Sequence, residues 1–317
     1  MTDEHPVSGR GLVKRYGEIV AVDHVDLTVE AGDVFGYLGP NGAGKTTSLR
    51  MMLGLIRPTE GYVRLFGLDP LVDGARALDG VAGFVEGPAF YPYLSGRRNL
   101  QLLADYDGGA ARARIDEVLD LVELCDRAKD KVGGYSHGMR QRLGIAASLL
   151  RAPRLLLLDE PTTGLDPAGM RDMRALVKRL AGEGITVLLS SHLLSEVEEL
   201  CNRVAIIHSG RIVFSGPLAD LMATAGTGYR MRTTDLARAN AVCLAHAGIQ
   251  DVSSDDGELR FSADEDAVAG LSIALAEAGV GIVALLPESA SLEELFLGLT
   301  EGDEPPAPEP SLAEAAA

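Results

Sequence analysis

Tryptophan is absent from this 317-residue chain, aromatic residues make up only 5%, and cysteine occurs three times. Cys125, Cys201 and Cys243 stand far apart and form no CxxC pair. That argues against a disulfide framework or a zinc site and predicts small buried side chains instead. Positive charge is scarce too: 29 Lys and Arg face 46 Asp and Glu, a net charge of −17. This balance argues against a protein that coats nucleic acid through a basic surface. No apolar run of about 18 uncharged residues occurs, so the sequence contains no membrane-spanning helix. The opening MTDEHPVSGR lacks an apolar leader, which predicts a cytoplasmic protein.

Hydrophobic residues make up 46% and charged residues 24%, the mix of a soluble globular chain. At about 150 residues per domain the length suggests two domains. Acidity is uneven: residues 234–317 hold 17 Asp and Glu and two basic residues, Arg238 and Arg260, a balance of −15, leaving −2 for residues 1–233. The shift places a boundary near 217–227, around Pro217 and the run ATAGTG. The expected division is a first domain over 1–220, a small α+β domain over 221–300 and a tail over 301–317. The tail, rich in Pro, Glu and Ala, is expected to be disordered.

Apolar runs predict strands at 33–38, 81–85, 154–158, 185–189 and 203–208, separated by helical patterns at 45–55, 95–106, 110–124, 136–150, 168–182 and 193–200. Such alternation implies an α/β core with a mostly parallel sheet covered on both faces. In VDHVDLTVE, Val22, Val25, Leu27 and Val29 alternate with polar neighbours, which predicts an antiparallel, half-buried flank. Beyond the boundary the pattern reads strand 228–233, helix 235–247, strands 249–253 and 257–262, helix 264–278 and strand 281–286. This βαββαβ order suits a ferredoxin-like sandwich. A helix over 291–298 would start at a capping box, Ser291 with Glu294, and present Leu292, Leu295 and Phe296 on one face.

Two motifs carry chemistry. GPNGAGKTT at 39–47 follows a predicted strand and opens a predicted helix, the context expected of a phosphate-binding loop. Gly39, Pro40, Asn41, Gly42, Ala43 and Gly44 form the turn whose amides point inward at phosphate oxygens, aided by the helix N-terminus. Lys45 would place its ammonium on the β- and γ-phosphates, Thr46 its hydroxyl on Mg2+, and Thr47 completes the run. LLLLDEP at 155–161 is a buried strand ending in two carboxylates. Asp159 would hold Mg2+ directly or through water, and Glu160 would polarise the water that attacks the γ-phosphate.

In this order, over residues 8–216, the elements resemble the ATP-binding subunit of an ATP-binding-cassette (ABC) transporter. YSHGM at 135–139 stands where that family has its LSGGQ signature. Ser136 and Gly138 match, whereas Tyr135, His137 and Met139 depart from the common form; variants of the YSxGM kind occur in drug and peptide exporters. The resemblance implies that Ser136, His137 and Gly138 bind the γ-phosphate of ATP held by a second copy. It implies a D-loop with Asp166 at the seam of a pair, a switch histidine at His192, and adenine stacking by Tyr16. The family commonly has Gln after the strand at 81–85, where metal and membrane partner are sensed; here Glu86 stands there, adding a negative charge near the phosphates. This variant resembles exporters of the bacitracin-resistance and lantibiotic-immunity type. ESASLEELFLGLT at 288–300 resembles the end of drug-exporter ATPases, and is assigned packing rather than chemistry.

The implied function is an ATP-hydrolysing subunit, with ATP and Mg2+, that drives export through a separate integral-membrane permease. Its implied location is the inner face of the cell membrane. A single chain has one phosphate loop and one signature, so a head-to-tail pair is expected. Phe90, Tyr91 and Tyr93 form the candidate docking patch for the permease. Rival readings are an importer ATPase, a soluble cassette ATPase acting on ribosomes or nucleic acid, and a non-hydrolysing nucleotide sensor. The YSHGM form and the C-terminal segment favour export over import. The single cassette and the acidity disfavour a nucleic-acid role, and Glu160 with His192 disfavours a sensor. The cargo stays open among drug, antimicrobial peptide and lipid.

Overall fold

Alternation of apolar and polar residues at the start of the chain produces a three-stranded antiparallel sheet. A computed structural model describes residues 5–106, 108–224, 227–255, 257–289 and 292–300. Strand β1 (Val7–Tyr16) pairs with β2 (Ile19–Val29) on one side. On its other side it pairs with β4 (Glu60–Leu65), a strand the sequence reading did not mark. Val22, Val25, Leu27 and Val29 are all buried as expected. The step from Val22 to Val25 is three residues rather than two because β2 bulges there: Val22 faces Lys14 and Val25 faces Leu12, with His24 at φ +53°.

The main sheet has six strands in the order β5 (Val81–Phe84), β6 (Leu155–Asp159), β7 (Thr186–Ser191), β3 (Val34–Leu38), β8 (Arg203–His208) and β9 (Arg211–Pro217). The first five run parallel, and β9 closes the edge antiparallel to β8. β3 and β6 are buried along their whole length, which explains their continuous apolar sequences VFGYL and LLLLD. Helix α1 (Lys45–Met52) touches β1, β2, β4 and β6, and Leu49, Met51 and Met52 join the two sheets into one core.

A helical layer follows β5. It comprises α2 (Gly96–Tyr106), α3 (Ile115–Leu121) and α4 (His137–Leu149). The single helix expected over 110–124 is instead a 3-10 turn at Ala110–Arg114 followed by α3, which ends where Glu123 takes φ +57°. α5 (Pro167–Gly182) and α6 (Leu194–Leu200) follow β6 and β7. α7 (Leu218–Thr224) comes after β9, and the chain divides into two compact units between Leu218 and Ala219.

In the second unit the elements run β10 (Thr227–Thr233), α8 (Leu236–Ala245), β11 (Gln250–Asp255), β12 (Glu258–Ser262), α9 (Glu265–Glu277), β13 (Ile282–Ser289) and α10 (Leu292–Thr300). The strands form an antiparallel sheet in the order β11-β12-β10-β13. Its core holds Met231, Cys243, Leu259, Leu271 and Leu275, with Tyr229 stacked on Phe261 at 5.6 Å between ring centres. Leu292 is fully buried. Ser291, the side chain of Glu294 and the tail 301–317 lie outside the described residues. Cys201 and Cys243 are buried, but Cys125 is exposed, contrary to expectation: it follows the end of α3, where its thiol meets Asp120 rather than a core.

Candidate active site

The C-terminal ends of parallel strands are where an open α/β sheet leaves a crevice for ligands. Here β3, β5, β6 and β7 end side by side: Leu38 lies opposite Ser191, Asp159 opposite Ser190, and Phe84 opposite Leu158. The loop leaving β3 turns sharply into α1. Gly44 sits at φ +105°, and a Cβ there would come within 2.4 Å of the Ala21 carbonyl oxygen, so only glycine fits. No side chain caps α1, which leaves its first N–H groups for an anion. Gly39, Ala43 and Gly44 are buried, while Pro40, Asn41 and Gly42 are exposed.

Lys45 is only 5% exposed. Its ammonium donates to the carbonyls of Gly39 at 2.7 Å and Pro40 at 3.2 Å, and lies 3.5 Å from Glu160 Oε1. A cavity of about 170 Å³ opens here, lined by Ala21, Asn41, Gly42, Gly44, Lys45, Thr46, Thr47 and Glu160.

Asp159 is buried at the end of β6. Its Oδ1 accepts from Ser190 Oγ at 2.6 Å, and its Oδ2 from Thr46 Oγ1 at 3.1 Å and from the Glu86 amide at 3.2 Å. A hydroxyl and a buried carboxylate joined at the rim of a phosphate-sized cavity form an all-oxygen donor set. That set fits Mg2+, which is usually held by one or two protein oxygens together with substrate phosphates.

Glu160 follows at φ +47°, a left-handed conformation that costs a non-glycine residue on the order of 1 kcal/mol. It is pinned by its amide donating to Ser190 Oγ at 3.0 Å. Its Oε2 accepts from Thr163 Oγ1 at 2.9 Å and lies 3.2 Å from His192 Nδ1. Burial pushes the Glu160 carboxyl up, but the Thr163 hydroxyl and the charges of His192 and Lys45 outweigh it. The carboxyl is therefore held below the ordinary glutamate range.

Lys45, Thr46, Thr47, Asp159, Glu160 and His192 thus gather into one site. Other expected residues stand apart. The Glu86 carboxylate pairs with Arg50 of α1, and only its main-chain N–H reaches Asp159. Ser136 caps α4 by accepting from the Met139 amide at 3.2 Å; it is exposed and does not line the cavity. His137 Nε2 meets the Thr163 carbonyl at 2.9 Å, and Gly138 follows it in the first turn. Asp166 caps α5 through the Gly169 amide at 3.0 Å. Tyr16 is 47% exposed at the end of β1, with the Lys14 ammonium 5.1 Å above its ring.

Sequence reasoning missed Ser190, Thr163 and Arg50. The first two adjoin the marked motifs as hydroxyls in LLSSH and DEPTTG, and for Ser190 a hydroxyl at the end of an otherwise apolar strand was the available signal. A second concavity of about 510 Å³ lies between β5, the loop after Glu86 and the helical layer, lined by Phe84, Pro88, Phe90, Leu103, Gly144 and Ala147 among others. Beside it Tyr91 and Tyr93 are exposed, their ring centres 5.7 Å apart.

Comparison with known proteins finds matching folds and sequences. A sequence model of the ABC transporter family matches residues 22–163. The bacitracin transport ATP-binding protein BcrA of Bacillus licheniformis is 40% identical over 293 residues, 92% of this chain and 96% of that protein. The daunorubicin resistance ATP-binding protein DrrA3 of Streptomyces coeruleorubidus is 38% identical, covering 92% and 95%. The dimeric post-hydrolysis structure of the ATP-binding cassette MJ0796, bound to ADP and Pi, is similar with a TM-score of 0.60 and 27% identity. It covers 67% of this chain and 98% of that one.

Proposed function

This chain belongs to the ABC transporter family, and on that premise we propose that it hydrolyses ATP to drive export of a drug, peptide or lipid through a separate membrane permease. The observation that carries the reading is the convergence of a buried lysine, a hydroxyl–carboxylate pair and a Glu–His pair on one phosphate-sized cavity. Residues 1–220 act as the engine and 221–300 as an accessory domain.

The loop amides and Lys45 bind the β- and γ-phosphates, the ammonium exchanging its carbonyl partners for phosphate oxygens. Thr46 and Asp159 would hold Mg2+, which supplies charge neutralisation of the phosphates when bound. Ionised Glu160 orients a water and accepts its proton as the water oxygen bonds to the γ-phosphorus. The bond from that phosphorus to the bridging oxygen breaks, leaving ADP and inorganic phosphate. His192 steadies the Glu160 carboxylate through the contact at Nδ1.

Ser136 is exposed, its hydroxyl ready to meet a nucleotide on another surface. This supports a head-to-tail pair in which Ser136, His137 and Gly138 of one copy cover the ATP held by Lys45 of the other, with Asp166 at the seam and Tyr16 on the adenine. Glu86, released from Arg50, would turn toward the metal. The apolar concavity with Phe90, Tyr91 and Tyr93 is the docking place for a permease segment. No described helix is long and apolar enough to cross a membrane, and this supports a channel supplied by a separate permease.

Phosphate release by purified protein tests the site. Lys45→Ala and Glu160→Gln should each lower turnover by about 10²-fold or more. Near-wild-type rates in both would end the assignment. Copurification of an integral-membrane protein rather than ribosomes tests the partner.

A further inference from the structure

One buried carboxylate near the site has no part in the scheme above. Glu196 lies in the first turn of α6 and is 1% exposed. Taking a carboxylate out of water is costly unless donors meet it. Two hydroxyls meet one of its oxygens: Thr162 Oγ1 donates to Oε2 at 2.6 Å and Ser191 Oγ at 3.2 Å. The other oxygen, Oε1, has no hydrogen-bond partner among the described residues. Thr162 and Ser191 are themselves 3% and 2% exposed, so solvent does not loosen the contacts. From outside, Arg174 of α5 holds α6 through Glu199 at 3.0 Å.

The two hydroxyls belong to the segments that carry the reacting groups. Thr162 stands two residues beyond Glu160, on the turn where Thr163 holds Glu160 Oε2. Ser191 immediately precedes His192, and its Oγ also accepts from the Leu193 amide at 2.9 Å, which shapes the turn carrying the imidazole. Glu160 Oε2 and His192 Nδ1 are 3.2 Å apart. The contacts therefore form a closed ring, from Glu160 along the chain to Thr162, across Glu196 to Ser191, along the chain to His192, and back to Glu160. A carboxylate with one oxygen unmatched is a poor choice for stability alone, since a well-packed apolar side chain would avoid the desolvation cost.

We propose that Glu196 is a positioning residue for ATP hydrolysis, one oxygen gripping Thr162 and Ser191 so that the separation of Glu160 and His192 is fixed. The inference rests on the reading of Glu160 and His192 given above. Glu196 does not line the phosphate cavity and touches no reacting atom. Its effect is geometric: displacement of a reacting group by about 1 Å can cost as much as 10²-fold in rate.

The test separates kcat from KM. Glu196→Ala should lower kcat by about ten- to a hundredfold with KM for ATP changed by less than about threefold. Glu196→Gln, whose carbonyl oxygen can accept both hydroxyls, should restore most of that loss. Thr162→Val, which keeps the volume and removes one donor, should lower kcat in the same way, and it decides the matter if Glu196→Ala does not fold. In a Glu160→Gln background, where chemistry is already stopped, adding Glu196→Ala should leave ATP binding unchanged. Wild-type kcat in both Glu196→Ala and Thr162→Val, with Glu160→Gln inactive, would overturn this inference alone. So would parallel losses in kcat and ATP binding that Glu196→Gln does not restore. Normal turnover by Glu160→Gln would overturn the reading of the site and this inference with it.

Discussion

Glu160 shows how a side chain's surroundings set its chemistry. Burial alone would favour its neutral form, yet a donor hydroxyl and two neighbouring cationic groups keep the carboxyl acidic. As a base it must be ionised, so its limb of the rate profile lies below the ordinary glutamate value of about 4.3. The same depression contributes stability above that value, which is lost as the pH falls through the lower folded value. Thr163→Val removes the donor, and the acidic limb of kcat should move to higher pH; a profile from pH 3 to 8 reads the shift. An unmoved limb would mean that Thr163 does not hold the carboxylate. The residues of the phosphate loop and the DEP motif were legible because each residue type is demanded by phosphate or metal chemistry. Ser190 and Glu196 were not, since a buried hydroxyl or carboxylate becomes meaningful only once its partner, distant in sequence, is known: 31 positions separate Ser190 from Asp159 and 34 separate Thr162 from Glu196. Thr163 lies only three positions from Glu160, but an exposed turn threonine carries no signal of its own.

Among the elements, the apolar strands were easiest to foresee, because a strand buried on both faces needs an unbroken run of large aliphatic residues. β4 and β9 were missed for the converse reason. Three of the first four residues of β4 are exposed and glycine follows its first, while β9 has only Gly216 buried. The two-residue turn joining β8 to β9, Ser209 and Gly210, has both residues at positive φ, a hairpin signal available in the sequence as Ser-Gly. α1 ends three residues before the expected Leu55 because Gly54 turns left-handed at φ +68°. β5 is short and depends on Gly83, which sits at φ +148°, where an added Cβ would fall 1.8 Å from the Leu157 carbonyl. Gly83→Ala should destabilise the cassette by about 2–4 kcal/mol by forcing β5 from β6. Urea denaturation reads that loss, and an unchanged midpoint would show that the strand pair yields without cost.

For the whole molecule, the change in charge balance along the sequence and the structural division after Leu218 are separate observations about one chain. Four antiparallel strands and two helices, in the βαββαβ order read from the sequence, give the second unit its own core. Pairing is the property that belongs to this scale. Glu160→Gln, which should bind ATP without spending it, is expected to shift from monomer to dimer on size exclusion when ATP and Mg2+ are present. A monomer under saturating ATP would dissolve the head-to-tail arrangement.

Ser136 is exposed at the head of α4 and does not line the cavity that Lys45 lines. If each copy lends that cap to its neighbour, inheritance follows a simple rule. A cell making intact chains alongside Lys45→Ala chains would assemble mixed couples, each with one sound compartment and one crippled one. The phenotype would then report whether half an engine still moves cargo, and a faulty allele could poison its healthy counterpart without touching a single atom of it.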